Sequence, residues 1–174
     1  MGSGYKAHQE AEWTLKTVKT ALSRGEGRDL AAGLVRYRML MDKADELYAT
    51  FDLCLIDRDR REAEFVKLGA ADSYLCSKER GMKVIPGVGE KREGAPPLRG
   101  GREKLSRGDV IIMASDGVSA AAQDTAAEEW LFPLVAAGGG ESAAGLGDRI
   151  LREAVKRGGG KVKDDITVTV ANVV

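Results

Sequence analysis

Histidine is nearly missing from this chain: His8 is the only one in 174 residues. That scarcity removes Ser-His-Asp catalysis and almost every zinc site. Cysteine is scarce too, with only Cys54 and Cys76 and no Cys-x-x-Cys spacing, so the two thiols read as reduced side chains of a cytoplasmic protein. Aromatic residues make up 5%, too few for a platform that stacks nucleic-acid bases. Neither sign of charge dominates, since 27 Lys and Arg face 27 Asp and Glu; no net field draws in nucleic acid or an anionic membrane. No apolar run approaches the ~20 residues of a membrane helix, and no secretory signal opens the chain. What is there is 43% hydrophobic and 31% charged, the make-up of an ordinary globular chain. A single domain over residues 1–174 is expected.

Hydrophobic spacing predicts a helix over 5–23, with Ala7, Ala11, Leu15, Val18 and Leu22 inward. A second is predicted over 29–43, capped by Asp29, with Leu30, Leu34, Tyr37 and Met41 inward. The period then changes to two, predicting strands at 48–57 and 62–68 joined by the charged turn 58–61, and a third at 73–77. Residues 79–104 hold most of the prolines and read as irregular, with strand pieces near 83–85. Val110–Ala114 is apolar on both faces and β-branched, hence a strand covered on both sides. Thr125 and Glu128 have capping-box spacing ahead of a helix through Trp130, Leu131 and Leu134. Another helix carries Ile150, Leu151, Ala154 and Val155 and ends at glycines 158–160. In the last strand Ile166, Val168 and Val170 alternate with Thr167 and Thr169. Without regular βαβ alternation, the fold class is α+β, helices packed on antiparallel sheets.

Two carboxylate positions stand out. Asp116 follows the apolar strand directly, and Asp164-Asp165 leads into the last one. Alone, Asp116-Gly117 is a common turn dipeptide and Asp164-Asp165 a solvated pair guarding a strand. A carboxylate taken out of water, however, must be paired, protonated or bound to metal. Two strand ends meeting at one rim would suit a hard divalent cation such as Mg²⁺ or Mn²⁺, with Gly117 letting the backbone turn past it.

Four stretches in order carry a resemblance: "MGSG" ahead of a helix, "YATFDLCLID" with "EAEFVKLGAADSYL", "LSRGDVIIMASDGV", and "DDITVTV". Together they resemble the metal-dependent protein phosphatase 2C (PPM) family, and within it the stage II sporulation group, across nearly the whole chain. The resemblance implies an αββα sandwich, two antiparallel sheets face to face with helices outside, and two Mn²⁺ or Mg²⁺ ions at one rim. Asp116 and Asp164 would be metal ligands, with Asp165 a further candidate; Gly2, Gly4 and Gly117 would shape the metal loops. Two ions about 4 Å apart activate a bridging water for in-line attack on phosphorus, so no protein nucleophile is required. The implied activity is that of a protein-serine/threonine phosphatase. The implied substrate is a Ser/Thr-phosphorylated regulatory protein, such as an anti-sigma-factor antagonist, in sporulation or stress signalling.

In that family an Asp-Gly directly precedes "MGSG", and a further acidic ligand comes from an earlier strand. Neither stands in this sequence, so the 174 residues by themselves are expected to bind metal weakly and to be nearly inactive. An incomplete sheet would leave an open edge and invite a homodimer. No nucleic acid or membrane contact is expected of this segment, although a parent protein could be membrane-anchored. The rival reading is a non-catalytic interaction module that keeps the phosphatase fold. Three features carry less: Gly87-x-Gly89 lacks the third glycine of a dinucleotide loop, residues 156–163 read as a solvated basic turn, and His8 reads as a surface residue. A shift of the two N-terminal helices is expected to move the metal loop, and substitutions at Leu15 or Leu34 that change stability but never metal affinity in the complete domain would count against it.

Overall fold

Period-two patterning builds the centre of the molecule. The structure, a computed structural model, describes residues 5–41, 50–87, 98–121, 125–161 and 164–174. Strand β1 (Phe51–Asp57) turns back antiparallel on β2 (Glu62–Leu68), which pairs on its other side with β5 (Leu98–Lys104). The second sheet has the order β4 (Gly81–Ile85), β3 (Ser73–Ser77), β6 (Val110–Ala114), β7 (Val168–Asn172), again antiparallel throughout. Helices α1 (Tyr5–Ser23) and α2 (Arg28–Met41) precede the strands; α3 (Asp116–Ser119), α4 (Ala127–Ala137) and α5 (Ala143–Arg157) lie between β6 and β7.

Alternation along each strand divides the apolar residues into three layers. Phe51, Val66 and Leu68 face outward from the first sheet onto Val18, Ala21, Ala31, Ala32 and Val35 of α1 and α2. Ala63 and Phe65 face the other way and meet Leu75, Ile85 and Ile111 between the sheets. Tyr74, Cys76 and Ile112 face out from the second sheet onto Trp130, Leu131, Leu146 and Ile150 of α4 and α5. Helix, sheet, sheet, helix is thus the layer order, as the resemblance implied. Each layer buries apolar area worth about 25 cal/mol per Å².

Several local expectations change. The inward face of α2 is Ala31, Ala32 and Val35, each without exposed surface, whereas Leu30, Leu34 and Tyr37 are exposed. On α1, Thr14, Val18 and Ala21 point inward and Leu15 is 56% exposed. Small residues allow the two helices to lie close to each other and to the sheet, and the larger leucines are left outside. Asp29 does not cap α2 but sits in its first turn, where the carbonyl of Gly27 accepts from the amides of Leu30 and Ala31. The capping box at 125–128 does not form: α4 begins at Ala127, and its N-cap Ala126 offers no side-chain bond. The stretch read as irregular ends in a seven-residue strand, β5, paired with β2 along its whole length. Gly100 makes this approach feasible, since a Cβ there would stand 2.2 Å from the Phe65 carbonyl oxygen. Salt bridges from Lys104 to Glu62 and from Arg102 to Glu64 lie across the same pair of strands. Among the described residues, no helix is long and apolar enough to cross a membrane.

Candidate metal centre

Strand β6 is central in its sheet, paired with both β3 and β7, and its apolar run fixes where Asp116 emerges. Below it, buried Asp109 accepts from Arg80 Nη2 at 2.5 Å and from the Ser106 amide at 2.8 Å, anchoring the entry to the strand. At the exit Ser115 is the N-cap residue of α3 but makes no capping bond. Its hydroxyl instead reaches the lead-in to β7: Ser115 Oγ donates to the Asp165 carbonyl at 3.0 Å and accepts from the Thr167 amide at 2.9 Å. The Ser115 amide also donates to the Thr167 carbonyl at 3.0 Å. One residue therefore ties the tip carrying Asp116 to the tip carrying Asp164 and Asp165.

Gly117 follows from the same closeness. A Cβ at this position would lie 2.6 Å from the Asp165 carbonyl oxygen, so the glycine is required by contact between the two tips. Its φ is not in the left-handed region, which replaces the sharp-turn reason expected from the sequence. The three aspartates are solvent-exposed, and Asp164 Oδ1 accepts from the Asp165 amide at 2.8 Å. Gly2 and Gly4 lie outside the described residues.

Between the two sheets, a cavity of about 280 Å³ opens at this rim. Asp116, Asp52, Thr50, Ser115, Thr167 and Thr169 line it beside Ala70, Met113 and Ala114, so its wall is mixed, polar oxygens set among apolar groups, and Asp164 and Asp165 do not line it. Asp52 was not singled out by the sequence. It lies opposite Lys67 in the β1–β2 register, and Lys67 Nζ donates to Asp52 Oδ2 at 2.5 Å. Asp52 Oδ1 is buried and has no hydrogen-bond partner. The signal was present, since around turn 58–61 the second residue of the first arm falls opposite the second-last residue of the other, and both are charged.

Among the described residues, no group of three or more His, Cys, Asp or Glu side chains is assembled to hold a metal ion. What the rim offers is a carboxylate at Asp116, hydroxyls and backbone carbonyls. Hard oxygen donors around a hydrated space suit Mg²⁺ or Mn²⁺, which keep several of their waters, so the residues present fit such an ion. They offer no covalent chemistry. His8 is on the surface of α1 beside Glu12. Burial pushes the Cys76 thiol up to about 12, with Asp109 adding to it. Burial also raises Cys54 to about 11, with Asp52 adding and Lys67 opposing.

An αββα sandwich is the fold of the PP2C-type phosphatase domains, and comparison with known proteins agrees on the fold. A phosphatase domain with a fragment of the regulatory domain of the cell fate determinant SpoIIE from Bacillus subtilis superposes with a TM-score of 0.78 at 24% identity, over 99% of this chain and 52% of that one. The manganese-presoaked phosphatase domain of the same protein gives 0.68 at 22% identity, over 92% and 73%. The model of the family Stage II sporulation protein E (SpoIIE) matches residues 1–174, and the chain belongs to that family. Stage II sporulation protein E of Bacillus subtilis (strain 168) is 26% identical over 178 residues, and that of Priestia megaterium 28% over 182; each alignment covers 99% of this chain. The chain spans 21% and 30% of those two relatives' lengths.

Proposed function

We propose that this segment is the metal-binding part of a phosphoprotein phosphatase that releases phosphate from a Ser/Thr-phosphorylated regulatory protein. The supporting observation is the Ser115 bridge, which ties the tip carrying Asp116, at the mouth of the cavity, to the lead-in that carries Asp164 and Asp165. Asp116 and Asp164 hold the first cation, with Asp165 beside them and Gly117 keeping the tips in contact. Gly2 and Gly4, outside the described residues, keep the metal-loop role that the family resemblance implies. Bound there, a pair of Mn²⁺ or Mg²⁺ ions supplies an activated water and neutralises the phosphoryl oxygens. The chain's own residues bind and orient: Ser115 holds the rim, while Thr167 and Thr169 present hydroxyls along the cavity wall. With Cys54 and Cys76 kept protonated by burial and His8 on the outer helix, none of these three side chains serves as a covalent nucleophile at the rim, and attack by water is the fitting route.

Family membership supports an anti-sigma-factor antagonist as the phosphoprotein and control of transcription as the output. The test is metal-dependent phosphate release from a phosphoserine protein by the gene product that carries this segment. Asp116→Asn should lower turnover by about 100-fold or more, because a metal-held nucleophile loses its anchor. Undiminished turnover in that variant would sink the reading and favour a docking module that merely keeps the fold.

A further inference from the structure

A second cavity, of about 510 Å³, lies at the end of β6 away from Asp116, where the second sheet meets α4 and α5. Val110, Val135, Leu146 and Val173 give it an apolar floor, and Phe132, 37% exposed, stands at its mouth. Hydrogen bonds fix the wall. The Val173 amide donates to the Asp109 carbonyl at 2.9 Å, and its carbonyl accepts from the Gly108 amide at 2.7 Å. Asn172 Nδ2 donates to the Glu141 carbonyl at 3.1 Å. Of the charged side chains in the lining, Asp109 and Glu141 are already neutralised by cations outside it, Arg80 at 2.5 Å and Arg149 at 2.7 Å. Lys78 and Arg107 also line the cavity, are exposed and, among the described residues, pair with no acid. The cavity is therefore apolar within and positive at its edge.

A hollow of this size, with an apolar lining and a few fixed polar groups, is the usual form of a small-molecule site. We infer that it binds a small amphipathic anion, an apolar body carrying one acidic head. The body covers Val110, Leu146 and Val173 and lies against Phe132. Lys78 meets the head as a point charge, and the planar fork of Arg107 meets it with paired N–H donors. A neutral ligand of the same shape would fill the floor but leave both cations unopposed, and a cationic one would face like charge. The site uses no metal and none of the strand-tip aspartates, so it does not depend on the reading of the rim.

The test is a titration of the isotope-labelled chain, free of divalent metal, with sodium decanoate below the concentration at which it forms micelles, followed by methyl and amide NMR shifts. Decanoate should move the signals of Val110, Leu146 and Val173 along one saturable curve. Decylammonium, the same body with the opposite charge, should bind at least about 10-fold more weakly, because like charges brought together are costly. Lys78→Gln combined with Arg107→Gln alters only exposed side chains and should weaken decanoate binding by about 10-fold. Ala136→Trp, a large ring added at an exposed lining position, should abolish the shifts. Equal affinity for the two decyl ions, native affinity in the double glutamine variant, or shifts scattered away from the cavity would each overturn the inference. Should a variant fail to fold by circular dichroism, the comparison of the two ions on the native chain decides. Tighter binding of a short peptide that sets aspartate beside phenylalanine would assign the cavity to a protein segment and overturn the small-molecule class.

Discussion

Gly117 shows how a single missing carbon determines the geometry of the rim. An added Cβ, 2.6 Å from the Asp165 carbonyl oxygen, must push the β7 lead-in away from Ser115. Gly117→Ala is expected to destabilise the fold by about 1–3 kcal/mol, the usual range for overpacking, and to weaken Mn²⁺ binding; a urea melt and a Mn²⁺ titration measure the two effects. The two cysteines give a pH prediction whose sign follows from proton counting. Burial raises both thiols, Cys54 to about 11 and Cys76 to about 12, while the unfolded chain releases those protons near the ordinary thiol value of 9.0. Above that pH the folded state binds more protons than the unfolded one, so stability falls as pH rises through the alkaline range. Melting temperatures at pH 8 and pH 10 measure the fall, and a thiol reagent at pH 8 should leave Cys76 unlabelled until the chain unfolds.

At the scale of elements, what could be read in advance depended on how completely each strand or helix is covered. β1, β2, β3 and β6 were legible because alternating or continuous apolar residues record burial on one or two faces. β5 was not, because after Leu98 it consists of glycines and charged residues that pair across to β2 without an apolar alternation. In α2 the largest residues misled: Leu30, Leu34 and Tyr37 are exposed, and the packed face is Ala31, Ala32 and Val35. Leu34→Ala should therefore change stability by less than about 0.5 kcal/mol, whereas Val35→Ala, cut from a wholly buried position, should cost about 1–3 kcal/mol. Chemical denaturation of both variants separates the two faces. The N-terminus of α5 gives a parallel case, since Ser142 Oγ accepts from the Gly145 amide at 3.1 Å. Its replacement by alanine should cost about 1 kcal/mol.

For the molecule as a whole, the site is a property of topology more than of any one motif. Asp116 and Asp164 lie far apart in sequence, and only the β6–β7 pairing brings their tips to one rim. The motif "SDG" pointed to Asp116, and "DDITVTV" pointed to Asp164 and Asp165, because acidic residues at strand ends are conspicuous. Asp52 escaped notice because a carboxylate inside an alternating strand reads as its solvent-facing side. Its true position depends on the second sheet closing over the hairpin, which no local pattern records. Three layers of apolar contact hold the two sheets and their helices together, and the cavity opens where the layer between the sheets reaches the rim. Anomalous scattering from Mn²⁺ soaked into crystals tests this arrangement most directly. A manganese peak within coordination distance of the Asp116 carboxylate, on the side facing Asp164, is the expected result. Ordered Asp116 and Asp164 carboxylates turned away from each other, with manganese bound elsewhere, would contradict it.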